Sequence, residues 1–277
     1  MDKLKFFIFL ILSLISCSHQ KHYFQSKKVF GVPWRLESPR SDTFNRISQK
    51  AENLEEVFKY AMDPDCRWIK PIAGKCLNPQ EDQTKKLEEL AQILKVETLN
   101  FYDIRHSGKR DFDGLSQGYF LESIKEDEHD PWLIDFAGDI YFNGGFTPQK
   151  TFSIADPLNE KVSFAKVAFT HGGFMIASSS RLLGANMYNP VSANKKWQED
   201  FQKIVLFGDT HFNGARLDAW ATALIVGGER LLNHLWKLER YKGMWGYLYF
   251  NKNGEAICSE NLKCDFEKSE RLVEVPF

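Results

Sequence analysis

Leu217-Asp218-Ala219-Trp220-Ala221-Thr222-Ala223-Leu224 is the stretch that decides how this chain is read. It sits in a run, Ala215 to Arg230, that predicts a helix interrupted near Gly227-Gly228. Asp218 and Thr222 are i and i+4, so they share one helix face set among Ala and Leu. A carboxylate and a hydroxyl projecting together suit Mg²⁺, which takes one or two protein oxygens beside phosphate oxygens and water. The structural alternative is an acid favoured by the helix dipole and a Thr bonded back to its own helix.

Working outward, two upstream segments carry chemical information. Arg110 to Glu122 has Gly114 and Gly118 bracketing a predicted turn into an amphipathic helix. Glycines there let a backbone approach a ligand, and a helix N-terminus attracts phosphate. Trp132 to Phe142 reads as strand, its stretch Trp132 to Ile140 being an apolar strand that ends in Ala137-Gly138-Asp139. Each of the two also has a plain structural reading, as a strand–helix turn and as a buried strand.

The rest of the chain mixes both periodicities. Val29 to Leu36 predicts a strand with a Gly-x-Pro irregularity, and Asp42 to Tyr60 a helix with Ile47, Leu54, Val57 and Phe58 on its apolar side. Gln83 to Leu94 is helical by the spacing of Leu87, Leu90, Ala91 and Leu94. Thr151–Ile154, Val162–Phe169, Phe174–Ser178, Lys203–Gly208 and Trp245–Asn251 read as strands, the last followed by a turn at Asn253-Gly254. Residues 62–80, with three prolines and two cysteines, read as a loop or small disulfide lobe. Without regular βαβ alternation, the class is α+β.

Composition excludes other classes. Of 277 residues, 43% are hydrophobic and 26% charged, which is globular rather than disordered. The net charge of −1, with no long basic run, argues against general nucleic-acid binding. One continuously apolar stretch, Phe6 to Ile15, follows a short basic start and has the length of a signal-peptide core. It ends in Leu14-Ile15-Ser16-Cys17, which looks like a bacterial lipobox. Residues 1–16 are then a lipoprotein signal peptide, 17–28 a tether lipidated at Cys17, and 29–277 the folded domain. The expected location is the bacterial cell envelope, with contact to the membrane through the lipid only; an ordinary signal peptide with an incidental Cys is the alternative. The other cysteines fall into two local pairs, Cys66 with Cys76 and Cys258 with Cys264. In an exported protein these predict disulfides; a four-thiolate zinc site, disfavoured by the lack of C-x-x-C, and free thiols are the alternatives.

Taken in order, these segments resemble the ApbE family, the FAD:protein FMN transferases. The matching residues are Asp111-Phe-Asp-Gly-Leu-Ser-Gln-Gly-Tyr119, Ala137-Gly-Asp139, Ile176-Ala-Ser-Ser-Ser180, Met187-Tyr-Asn-Pro190 and Asp218-Ala-Trp-Ala-Thr-Ala-Leu224. Phe30-Gly-Val-Pro-Trp34 and Phe101-Tyr-Asp103 are similar to two further family elements. The resemblance implies a single α+β domain related to the T-fold, holding FAD with Mg²⁺ at its pyrophosphate. It implies transfer of FMN to a Thr or Ser hydroxyl of an exported flavoprotein subunit, such as those of sodium-pumping quinone reductases, with release of AMP. By matching, Asp218 and Thr222 would hold the metal through side chains and Ser116 through its carbonyl. Phe30 would pack near the flavin, and Phe101, Tyr102 and Asp103 around the adenine. Asp113, Gln117 and Tyr119 would line the cofactor.

The chain departs from the family in one loop. Asn186 stands where the family has a His important for transfer, beside Met187, and Asn189 where it has an Asp. Asn cannot take a proton near neutral pH. With Asp218 and Asn186 in the catalytic positions, three outcomes are open. Another base serves, such as His171 or His211; FAD is hydrolysed instead; or the protein is a non-catalytic flavin-binding or scaffold lipoprotein.

Overall fold

In the computed structural model, alternating strands assemble into an antiparallel sheet of eight, ordered β1-β2-β5-β6-β9-β10-β11-β12. The structure describes residues 23–29, 32–38, 40–62, 81–102, 105–106, 109–110, 112–125, 133–144, 151–159, 161–169, 172–181, 201–238, 244–267 and 271–275. The strands are β1 (Tyr23–Val29), β2 (Val32–Ser38), β3 (Arg105–His106), β4 (Lys109–Arg110), β5 (Leu133–Phe136), β6 (Asp139–Phe142) and β7 (Thr151–Ala155). They continue as β8 (Ser163–Phe169), β9 (Phe174–Ser180), β10 (Phe201–Gly208), β11 (Met244–Asn251), β12 (Ala256–Cys258), β13 (Lys263–Asp265) and β14 (Leu272–Val275). A second sheet runs β13-β14-β8-β7, with β14 and β8 parallel, and β3 and β4 form a small ribbon. The helices are α1 (Thr43–Met62), α2 (Glu81–Glu97), α3 (Asp113–Lys125) and α4 (Gly214–Trp236). None of the described helices is long and apolar enough to cross a membrane.

Strand alternation sends successive side chains to opposite faces, and each face of the large sheet is buried by a different partner. Trp34, Leu36, Ile134, Phe136, Met175, Ala177, Ile204 and Leu206 join the core formed with the four helices. Their neighbours Ile140, Phe142, Phe174, Ile176, Val205 and Phe207 pack with Ile154, Val167, Phe169 and Val273 of the second sheet. The result is three layers, helices on sheet on sheet, in one α+β domain.

Three local expectations are corrected. Residues 23–28, assigned to a tether, belong to β1, which pairs with β2 from Tyr23↔Ser38 to Val29↔Val32. Trp132–Phe142 is not one strand: Ala137 and Gly138, with φ of 53° and 103°, turn the chain so that Phe136 pairs with Asp139. Positive φ at both central residues is what a two-residue type I′ hairpin requires. Gly114 and Gly118 do not flank a turn; both lie inside α3.

The late helix forms as expected and is longer, reaching Trp236, with its kink at Gly228 (φ 59°, ψ −155°). Cys258 and Cys264 are joined in a disulfide, which excludes a four-thiolate zinc site. Cys66 and Cys76 lie outside the described residues, as do Cys17, Phe30, Asp103, His171, Asn186 and Met187.

Candidate functional site

The decisive helix is fixed at its start by side chains before it and across from it. Asp209 Oδ1 accepts the N–H groups of His211 (2.7 Å) and Phe212 (2.9 Å), forming a tight turn. Asn213 caps α4 by accepting the Arg216 N–H at 2.9 Å. Glu122 of α3 takes a further helix-end donor, the Gly214 N–H, at 2.7 Å. Lys125 pairs with Glu122 at 2.8 Å and donates to the carbonyls of Thr210 (3.2 Å) and Phe212 (3.1 Å). The last turn of α3 therefore grips the first turn of α4.

From that grip the two helices run antiparallel. Glu122 meets Gly214, Gly118 meets Gly214 and Asp218, and Gly114 meets Thr222. Glycine is required at 118: a methyl there would overlap the Gly214 carbonyl oxygen and stand 2.7 Å from Asp218 Cβ. The approach brings the Gly118 N–H to Asp218 Oδ2 at 2.9 Å, across one hundred positions of sequence. Asp218 and Ser116 are both buried, and Thr222 is half-buried against Gly114. The helix pair thus sets Asp218 and Thr222 against α3, which also carries the buried Ser116.

A fourth group, Asp139, belongs to the quoted Ala137-Gly138-Asp139 segment but was given no role from the sequence. Asp139, the first residue of β6, points to the helix side of the sheet because Ile140 points to the other. It is only 2% exposed. Its Oδ1 accepts the Ser178 N–H at 2.9 Å, and its Oδ2 has no hydrogen-bond partner. Burial, and then the nearby Asp218 carboxylate, push the Asp139 carboxyl well above the usual carboxylate range. One strand position on from Ile140, Tyr141 is pushed up to about 12 by burial and by Glu122. The signal for Asp139 was present in the period of two, once the Ala137-Gly138 turn is known.

The donors fit a hard divalent cation: carboxylate and hydroxyl oxygens in a buried place, with an acidic oxygen beside them still unpaired. Among the described residues no group of three or more His, Cys, Asp and Glu converges as a closed cage. A cation there would keep positions open for phosphate oxygens and water, as Mg²⁺ does.

The other expected residues lie elsewhere around α4 and α3. Phe101 packs on Gly227, and the buried Tyr102 donates its N–H to Thr98 Oγ1 at 2.9 Å. Gly227 is about 7.5 Å along the axis from Thr222, at 1.5 Å per residue. Tyr119 faces away from Asp218's helix, with its ring edge-on to Phe58 of α1 at 5.7 Å. Gln117 is half-buried, Asp113 is the first residue of α3, and His211 is exposed in the turn before α4.

On the opposite face of the sheet a cavity of about 600 Å³ opens between the two sheets, reaching Gly138 and Ser178. Arg35 and Asp135, paired at 2.7 Å, and Lys203, donating to the Ala155 carbonyl at 3.2 Å, supply its charged lining.

No protein-family model matches the sequence, and no curated protein does. Solved structures do match. The ApbE protein of Thermotoga maritima superposes with a TM-score of 0.66 at 12% identity, covering 87% of this chain and 97% of its own. The flavin transferase ApbE of Vibrio cholerae gives 0.64 at 11% identity, over 87% of this chain and 98% of its own. The flavinyl transferase ApbE of Pseudomonas stutzeri gives 0.61 at 14% identity, over 86% and 94%. Over nearly its whole length, this chain has the fold of the ApbE flavin transferases.

Proposed function

We propose that this protein transfers FMN from FAD to a Thr or Ser hydroxyl of an exported flavoprotein, in a Mg²⁺-dependent reaction that releases AMP. The observation that carries this reading is the pairing of Asp218 and Thr222 against the glycine face of α3, on a fold shared with named flavin transferases. In this reading the protein acts at the cell envelope, held to its membrane by a lipid on Cys17.

Each residue has a task in that chemistry. The attacking hydroxyl oxygen bonds to the FMN phosphorus, the pyrophosphate P–O bond breaks, and the electron pair leaves on AMP. Asp218 and Thr222 would hold Mg²⁺ by side chain and Ser116 by its carbonyl, and the bound ion would offset the charge that grows on the leaving oxygen. Phe30 packs near the flavin, and Phe101, Tyr102 and Asp103 lie around the adenine. Asp113, Gln117 and Met187 flank the dinucleotide. Tyr119 lines the cofactor as well, beside its edge-on contact with Phe58. Asn186 cannot take the acceptor's proton, so the hydroxyl proton leaves to another base.

Asn186 also favours a second reading, a lipoprotein that binds flavin without transferring it. The two are separated by mixing the full-length protein with FAD, Mg²⁺ and a target carrying an acceptor Thr. Covalent flavin fluorescence on the target after denaturing electrophoresis supports the transferase. Stoichiometric FAD binding without AMP release selects the second reading, and no FAD binding removes both. Asp218→Ala is expected to weaken Mg²⁺-dependent FAD binding by about tenfold or more. Unchanged affinity would remove the metal assignment.

A further inference from the structure

We propose that Asp139 is a second carboxylate of the cation site, its buried Oδ2 ligating the same divalent ion as Asp218. The inference rests on the function proposed above and adds a residue to its metal site.

Three observations carry it. Asp139 Oδ2 is enclosed and has no hydrogen-bond partner, whereas its sister oxygen is fixed by the Ser178 N–H at 2.9 Å. A buried acceptor without a partner is costly, more so when charged, so a group left this way calls for a partner. The two-residue turn at Ala137-Gly138 then sets which face Asp139 takes: the register Phe136↔Asp139 sends it to the helix side of the sheet, while Ile140 goes to the other core. Finally, Asp139 lies near Asp218, the acid already assigned to the site. A doubly positive ion between the two acids would give the vacant oxygen its partner.

The competing role is purely structural: Asp139 would only latch β6 to β9 through Ser178. Asp139→Asn separates the two, because it keeps an oxygen for the Ser178 N–H and removes the charge. The full-length protein, in detergent, is titrated with Mn²⁺ with and without FAD, and free ion is read by electron paramagnetic resonance. The wild type is expected to bind one Mn²⁺. Asp139→Asn and Asp218→Asn should each weaken binding by about tenfold or more. The metal-free melting temperature of Asp139→Asn should be no lower than that of wild type. Mn²⁺ affinity unchanged in Asp139→Asn overturns the inference, as does a wild type that binds no Mn²⁺ in either condition.

A second measurement needs no variant. Wild-type crystals soaked in Mn²⁺ should show an anomalous peak within ligation distance of both Asp139 and Asp218; a peak on Asp218 alone overturns the inference. The outcomes also separate the two proposals. Transfer activity with Mn²⁺ affinity unchanged in Asp139→Asn leaves the function standing and removes Asp139 from the site. Mn²⁺ held by both acids in a protein that neither binds nor transfers flavin does the reverse.

Discussion

Both faces of the eight-stranded sheet are packed with aromatic rings, and they differ in how their charged groups are held. On the helix face, Asp139 and Asp218 are buried close together, and Glu122 is bound to the start of α4. On the second-sheet face, Phe169 stacks on Phe174 at 3.6 Å, and Phe142 and Phe152 pack on the same ring. The difference teaches where buried charge can be kept. Backbone donors reach the helix-face acids: the Gly118 N–H on Asp218, the Ser178 N–H on Asp139 and the Gly214 N–H on Glu122. The rings on the second-sheet face offer no such donors, so that face contributes stability, and its polar groups gather in the cavity near Arg35 and Lys203.

This contrast can be broken or sharpened by substitution. The largest effect is expected at the glycine that lets the helices touch. Gly118→Ala would force α3 off the Gly214 carbonyl and should cost more than about 4 kcal/mol, seen as loss of a cooperative thermal transition. A wild-type melt would mean that the helix face tolerates a looser crossing. Next comes the second-sheet face: Phe174→Ala removes a fully buried ring and should cost about 3–5 kcal/mol in chemical denaturation. FAD affinity of the remaining folded protein should not change; a parallel loss would show that the two faces are not independent.

Smaller effects are expected at the margin of the second-sheet face. Replacing Cys258 and Cys264 together by Ser opens a loop of six-residue separation, and the denaturation midpoint should fall by the equivalent of about 2 kcal/mol. No change would mean that the packing of Leu262 and Phe250 already holds that corner. The smallest effect is at the cavity mouth. Arg35→Ala breaks an ion pair whose Arg is 68% exposed, and should change stability by at most about 1 kcal/mol. A larger loss would show that the Arg35–Asp135 pair organises the cavity.

Much of the fold was readable where local chemistry is strong. The helix from Ala215, its break at Gly227-Gly228, the helices near residues 43–62 and 81–97 and the central strands follow from period and composition. That Asp218 and Thr222 share one helix face was readable for the same reason, since four residues is about one helical turn. Reading failed where the local signal is weak. Tyr-Phe-Gln-Ser-Lys-Lys-Val is polar enough to pass for a tether, yet as the outermost strand of the sheet it can keep Lys28 exposed. Ala-Gly is a poorer hairpin signal than Asn-Gly, so the β5–β6 turn was hidden inside an apparent single strand.

By itself the sequence determined which residues alternate, which share a helix face and where the helix carrying Asp218 begins and bends, because those are matters of a few neighbouring dihedrals. Only the tertiary structure decided that Gly118 touches Gly214, that Tyr119 turns to Phe58, and that Asp139 comes to lie beside Asp218. These contacts join positions far apart in the chain. They are selected by the burial of whole faces, which no local stretch of residues encodes.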